Sequence, residues 1–290
     1  MPRRPPRSAG RRHPRAKRRF SQNFLVDENV CRKIVDLVRV RPDDVVVEIG
    51  PGTGALTRFL VERAAQVHAV EVDRELYAKL GVELGAHENL VLHEADILRT
   101  RIRDLIPSGP VTVVGNLPYH ITSDLVLWLL EQREVVSRAV VMMQREVAQR
   151  LTAEPGERKG GSLSLLVNYY AEAEILLEVP PTCFRPVPKV HSSVVVFRLR
   201  DRPAVAPRDE ALFFRAIRAA FAERRKTLSN TISSGLSLLR PETDAAIVAA
   251  GLDPKIRGEK LTLEEFRRLA DALGDYLPAP APGKDEDPIP

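Results

Sequence analysis

The sequence predicts an α/β fold in which a seven-stranded, doubly wound sheet is followed by a small C-terminal helical domain. Three observations predict it. Short runs rich in Val and Ile alternate with segments whose apolar residues recur at helical spacing. The first such run, Val45–Ile49, leads into the glycine turn Gly50-Pro51-Gly52-Thr53-Gly54 and then a helix, the strand–turn–helix entry of a nucleotide-type βαβ unit. Beyond about residue 204 the helical spacing continues and no further strand pattern occurs.

Composition bounds the answer. The chain has 290 residues, enough for one large domain and a small one. Apolar content of 44% and charged content of 29% are those of a globular protein. No apolar run approaches the roughly 20 residues of a membrane span, so no membrane partner is expected. Two cysteines, Cys31 and Cys183, make neither a disulfide framework nor a Cys-rich zinc site. The pI near 9.3 hides an uneven charge distribution. Residues 1–19 carry nine Lys/Arg and no acid; removing those nine from the 44 leaves 35 against 39 Asp/Glu, so the body is slightly acidic.

That basic arm, residues 1–19, is rich in Pro and Arg with nothing to bury, and reads as disordered. It suits phosphate binding, a solvated tail or a transit peptide; its prolines argue against the last. The sheet domain is expected over 20–203. Asp27 is placed to cap a helix whose apolar positions are Val30, Ile34, Leu37 and Val38. Ahead of it, Gln22, Asn23 and Phe24 offer turn chemistry or a wrap around a ligand. Strand one is Val45–Ile49, and a helix over about Ala55–Arg63 follows the glycine turn. The spacing G-x-G-x-G departs from the G-x-G-x-x-G of dinucleotide folds. Strand two, Val67–Glu71, ends in an acid placed to accept ribose hydroxyls. The alternative for Glu71, a helix N-terminal charge, is better filled by Asp73. Strand three, Leu90–His93, precedes Asp96, which suits either an amino group on a cofactor or a turn.

Strand four, Val111–Gly115, delivers Asn116-Leu117-Pro118-Tyr119 to the carboxyl edge of the sheet. An Asn oxygen and a nearby backbone carbonyl can accept both N–H bonds of a planar exocyclic amine while Tyr119 stacks on its ring. The plain alternative is a strand ending in Asn/Pro turn chemistry. Ser123 or Asp124 is placed to cap a helix over Leu125–Glu131. Arg138–Met143 reads as strand five, Gln144–Leu151 and Ser162–Tyr170 as helices. Ala173–Val179 and Ser193–Leu199 read as a final antiparallel pair. Between them, three prolines in Pro181–Pro188 argue against regular structure, and such a loop is a usual place for function. Phe184 there suits the second face of a bound base or a core anchor, and Arg185, Lys189 and His191 suit phosphates.

The helical domain is expected over 204–275, with helices at Glu210–Phe221, around Leu228–Leu236, at Asp244–Gly251 and at Leu263–Leu273, the last capped by Thr262. Arg224-Arg225-Lys226 makes a basic edge, read as an RNA phosphate contact over a solvated helix end. Residues 276–290 form a Pro-rich acidic tail, read as disordered.

The glycine turn, the acids after strands two and three, and Asn116–Tyr119 converge on one edge of one sheet. Group transfer from a nucleoside-containing donor to an amine accounts for that set. A nicotinamide-dependent dehydrogenase is disfavoured by the glycine spacing. No metal constellation, nucleophile elbow or P-loop occurs in the sequence.

Over about residues 20–274 the sequence closely resembles the ribosomal RNA adenine N6-dimethyltransferases, in particular the bacterial small-subunit enzymes. The resemblance rests on Gln22-Asn23-Phe24-Leu25, on Glu48 to Thr57 (EIGPGTGALT), and on Glu71-Val72-Asp73, Ala95-Asp96 and Asn116-Leu117-Pro118-Tyr119. It extends to Phe184 through Val190 (FRPVPKV) and Arg224-Arg225-Lys226-Thr227-Leu228. It implies a Rossmann-like S-adenosylmethionine-dependent methyltransferase domain. Asn23, Leu25, Gly50, Gly52, Glu71, Asp96 and Asn116 would line the donor site. Asn116, Leu117, Pro118, Tyr119 and Phe184 would hold the target base, and Arg185, Lys189, Arg224, Arg225 and Lys226 would meet RNA. It implies transfer of four methyl groups to two adjacent adenines in the 3′-terminal hairpin of 16S rRNA, by a cytoplasmic monomer acting on immature small subunits. The macrolide-resistance sister family, acting on large-subunit rRNA, shares the first five motifs. Asn116-Leu117-Pro118-Tyr119, where that family has Asn-Ile-Pro-Tyr, and the Arg224–Leu228 helix start favour the small-subunit enzymes. His120 stands where many members have Asn. A non-enzymatic rRNA-binding assembly factor on the same fold is the alternative class.

Overall fold

The computed structural model describes residues 23–107, 109–157, 159–223 and 225–277. The expectations for the basic arm, Gln22, Arg224 and the tail from Pro278 onward lie outside the described residues.

Seven strands form one sheet in the order β4-β3-β2-β5-β6-β9-β7. They are β2 (Val45–Ile49), β3 (Gln66–Glu71), β4 (Leu90–Glu94), β5 (Val111–Asn116), β6 (Val136–Gln144), β7 (Ala171–Val179) and β9 (Ser192–Leu199). The first five are parallel, and β9 joins β6 and β7 antiparallel. The expected sheet is therefore present, including its antiparallel edge. The chain runs outward from β2 through β3 to β4, then returns to lay β5 on the other side of β2. That reversal leaves a crevice beyond the carboxyl ends of β2 and β5, where such sheets bind ligands.

Both faces of the sheet are covered, which is why its central strands are almost continuously apolar. Alternate residues feed two cores. Val46, Val67, Val114, Val140 and Val196 meet α1 (Glu28–Val38) and α2 (Thr57–Leu60). Val47, Ile49, Val70, Val113, Val141 and Phe197 belong to the other core, with α5 (Thr122–Glu131) and α7 (Ser162–Tyr170). That second core continues without interruption into α8 (Glu210–Ala222), α9 (Leu228–Leu236), α10 (Arg240–Ala249) and α11 (Leu263–Gly274). At the junction Tyr169 and Tyr170 pack on Phe213 and Phe214, with ring centroids 5.1 to 6.0 Å apart. The Tyr170 hydroxyl donates to Glu210 Oε1 at 2.8 Å.

Four local expectations are corrected. The helix after the glycine turn is the short α2, not Ala55–Arg63, because three-residue turn bonds (Gly54 to Pro51, Phe59 to Leu56, Arg63 to Leu60) interrupt the helical ladder there. Neither Ser123 nor Asp124 caps α5. It begins at Thr122, after the 3-10 turn Tyr119–Ile121, and Thr122 Oγ1 donates to the Pro118 and Tyr119 carbonyls. Helix α10 starts four residues before Asp244, since Pro241 suits a first turn and Glu242 reaches back to the Leu239 N–H. The proline-rich loop is not wholly irregular. Phe184–Arg185 is a strand, β8, paired antiparallel with β1 (Phe24–Leu25) in a small second sheet.

Candidate active site

The crevice at the sheet reversal is a cleft of about 910 Å³, counting the part open to solvent. Its walls include Asn23, Phe24, Leu25, Glu48, Gly50, Gly52, Glu71, Val72 and Asn116 through Ile121. The chain is brought close at two glycines. A Cβ on Gly115, the β5 residue opposite Ile49, would lie 2.8 Å from the Ile49 carbonyl oxygen. Gly52 has φ +59°, and a Cβ there would press on the Phe24 ring at 3.2 Å.

At one end of the cleft the glycine turn faces Glu71. Glu71 Oε2 accepts from the Gly52 N–H at 3.0 Å and Oε1 from the Asp73 N–H at 2.9 Å. Each oxygen keeps a lone pair for a ligand. Burial pushes the Glu71 carboxyl up, and those two N–H groups oppose the shift. Asp73 caps α3 (Arg74–Leu84), accepting from Glu75 N–H. Glu48, in mid-strand on β2, is buried and lines the same wall. Its Oε2 makes no hydrogen bond among the described residues. Burial pushes its carboxyl up to about 7, with Thr57 pulling the other way and Glu71 adding a little.

At the other end β5 delivers Asn116. Its Nδ2 donates to the Asn23 carbonyl at 3.0 Å, so Oδ1 is the atom turned elsewhere. Leu117 is tied to β6 through its N–H and the Met142 carbonyl at 2.9 Å. The Pro118 carbonyl accepts from both Ile121 N–H and Thr122 Oγ1. Its two lone pairs are thereby used. Tyr119 is half-buried on the cleft wall, and its hydroxyl bonds Ser192 Oγ at 2.8 Å. Burial raises its phenol, so it is no base at neutral pH.

The chain that builds this cleft matches one kind of known protein over most of its length. The family described as Ribosomal RNA adenine dimethylase matches residues 13–275. The chain belongs to that family. Ribosomal RNA small subunit methyltransferase A of Streptococcus thermophilus (strain CNRZ 1066) is 42% identical over 265 residues, covering 89% of this chain and 91% of the relative. The protein of the same name in Geobacillus kaustophilus (strain HTA426) is 41% identical, covering 89% and 90%. Among solved structures, the 23S rRNA methyltransferase ErmE superposes with TM-score 0.68 at 30% identity, covering 87% of this chain and all of that one.

The family is one of S-adenosylmethionine-dependent methyltransferases, and the cleft fits such a donor. It offers a carboxylate with spare lone pairs for hydroxyls, a buried carboxyl oxygen without a partner, and apolar walls from Phe24, Leu25, Leu56 and Val72. Of the residues singled out in the sequence, Asn23, Leu25, Gly50, Gly52, Glu71, Asn116, Leu117, Pro118 and Tyr119 come together here. Asp96 does not line the cleft. It caps the turn after β4, accepting from Leu98 N–H at 3.1 Å, and stands 3.8 Å from Arg99 Nε. Phe184 corrects the expected second stacking face: it is fully buried in the core with Ile34, Cys183 and Val194, and anchors its loop there. Arg185, Lys189, Arg225 and Lys226 are exposed, and none lines the cleft. Sequence reasoning offered Phe24 as part of a wrap around a ligand, and it does line the cleft, but gave no separate role to Glu48 or Ser192. For Glu48 the signal was an acid inside an apolar run predicted to be buried on both faces. Ser192 carried none.

Proposed function

We propose that this chain transfers methyl groups from S-adenosylmethionine to N6 of two adjacent adenines in the 3′-terminal hairpin of 16S rRNA, two on each, during small-subunit biogenesis. The observation that carries the reading is the Asn116 amide, held by the Asn23 carbonyl so that Oδ1 is left to accept from an amine at the cleft. S-adenosylmethionine supplies a methyl group already activated on a sulfonium. The chain's task is therefore placement.

At the donor end Glu71 accepts from the ribose hydroxyls, the glycine turn lets backbone approach, and Asn23 and Leu25 close the wall. At the target end, an adenine splayed from its RNA stack, at an unstacking cost of a few kcal/mol, lies against Tyr119. Asn116 Oδ1 takes one N6–H. The Leu117 carbonyl is the better second acceptor, because that of Pro118 is already occupied. Two acceptors draw N6 out of conjugation and aim its lone pair along the cleft. Once N6 carries the incoming methyl it is acidic enough to lose its proton to water. Arg185, Lys189, Arg224, Arg225 and Lys226 meet RNA phosphates, giving salt-dependent affinity. The partner is an immature small subunit, met by a monomer in the cytoplasm.

The test is methyl transfer from labelled S-adenosylmethionine to undermethylated small subunits, large subunits and naked rRNA, with the labelled nucleoside identified. N6,N6-dimethyladenosine on small subunits alone is expected. Label on large-subunit rRNA would move the assignment to the macrolide-resistance type. No label with the donor still bound would favour an assembly factor.

A further inference from the structure

We propose that Ser192 is a positioning residue, holding the far end of the Tyr119 ring by its hydroxyl so that the ring keeps its place beside the target base. The inference rests on the reading of Tyr119 as the ring that meets that base.

Tyr119 sits in a 3-10 turn after Pro118, outside the sheet ladder that holds Asn116. Its backbone end is fixed by the turn itself, in which Ile121 N–H donates to the Pro118 carbonyl at 3.2 Å and the one Thr122 hydroxyl proton is shared between the Pro118 and Tyr119 carbonyls. Rotation about χ1 would still swing the far end of the ring away from this position. The far end is what Ser192 holds, with the two hydroxyl oxygens 2.8 Å apart. Ser192 is itself immobilised. It is fully buried at the start of β9, opposite Gln144 of β6 on one side and Val179 of β7 on the other. The preceding His191 carbonyl accepts from Arg145 N–H at 3.0 Å.

β9 opens with two buried serines, Ser192 and Ser193, before Val194, Val195 and Val196, so strand propensity does not explain its head, and of the two Oγ atoms only that of Ser192 has a partner among the described residues. A buried hydroxyl needs a partner, and Tyr119 is the one it has. The antiparallel edge of the sheet thus provides a fixed anchor for a side chain on the parallel part. The Tyr119 hydroxyl is accordingly a structural handle and takes no part in proton transfer.

The experiment uses the full chain with undermethylated small subunits and compares Tyr119→Phe, Ser192→Ala, the double variant and Tyr119→Ala. Donor affinity and thermal midpoint are measured beside kcat. Each hydroxyl deletion is expected to lower kcat roughly three- to ten-fold, the range of one neutral hydrogen bond. Donor affinity should stay within about twofold, and the double variant should be no slower than the slower single. Wild-type kcat in Ser192→Ala overturns the proposal, as do losses that multiply in the double variant. Should Ser192→Ala not fold, Tyr119→Phe decides alone, because it removes one exchanged hydrogen bond and no packing. Tyr119→Ala separates the two readings. If it is crippled while Ser192→Ala is not, only the positioning role falls. If it keeps wild-type turnover, the stacking role of Tyr119 falls and this proposal with it.

Discussion

At the glycine-turn end of the cleft, the bond that orients Glu71 spans 19 residues, from the carboxylate to Gly52 N–H. At the other end Asn116 is oriented by a carbonyl 93 residues away, and Tyr119 is tied to a hydroxyl 73 residues away. The donor end is made by consecutive strands and the turn between them, so local chain geometry assembles it. The target end is made by contacts between segments that meet only in the finished fold. The difference teaches that the heart of the donor end, the glycine turn with Glu71, is assembled locally, while its outer wall of Phe24 and Leu25 leans on a distant strand. The target end depends on three places at once: the N-terminal segment, β5 and the head of β9.

The sharpest test of that contrast by stability is Phe184→Ala. If Phe184 anchors its loop in the core and does not stack on the base, truncation should cost about 3–5 kcal/mol in chemical denaturation. Turnover per folded molecule should stay within a few-fold. A selective loss of kcat at wild-type stability would return Phe184 to the target end. Asn116→Ala comes next. Turnover should fall about 100- to 1000-fold, the scale of a lost transition-state hydrogen bond, while donor affinity measured by titration changes only a few-fold. Turnover above a tenth of wild type would remove Asn116 from its role.

Glu48→Gln probes the donor end through pH. The Glu48 carboxyl rises from an ordinary 4.5 to about 7 in the folded chain. A raised acid holds its proton in the folded state after the unfolded chain has lost it. The folded chain therefore loses stability as pH climbs from about 4.5 to about 7, by about 3 kcal/mol from this group. Denaturation across that window should show the slope in the wild type and lack it in Glu48→Gln. A cationic donor prefers the carboxylate, so its affinity should improve with rising pH up to about 7 and flatten in the variant. The smallest expected effect is Glu71→Ala. Donor affinity should weaken about 10- to 100-fold, the range of hydrogen bonds to a charged group, with kcat at saturating donor nearly unchanged. A kcat loss as large as that of Asn116→Ala would erase the distinction between the two ends.

Much of this was legible in the sequence because parallel strands buried on both faces leave plain apolar runs, and a glycine turn after the first of them announces a ligand edge. Seven strands, the acid at Glu71 and the motif at Asn116–Tyr119 came from those signals. What stayed hidden was long-range. Phe24–Leu25 is too short to show a strand period, and β8 lies among prolines, so their pairing is visible only in three dimensions. Phe184 has the same aromatic character whether it faces a ligand or a core, and only its burial decides. Ser192 read as the end of the proline-rich loop, and only the fold puts it at the head of β9 with its partner beside it.

The pairing of Leu25 with Phe184 has a consequence for how the protein is made. The two residues are 159 positions apart, the difference between their numbers. Synthesis proceeds from the N-terminus, and a domain generally folds as a unit once its parts are available. A nascent chain shorter than 184 residues carries the glycine turn, Glu71 and Asn116, yet has no strand to hold Phe24 and Leu25 against them. The wall that Phe24 and Leu25 give the cleft therefore closes late in translation, and since β9, the strand between β6 and β7, also lies beyond residue 184, chains truncated before that point would lack both the wall and a complete sheet.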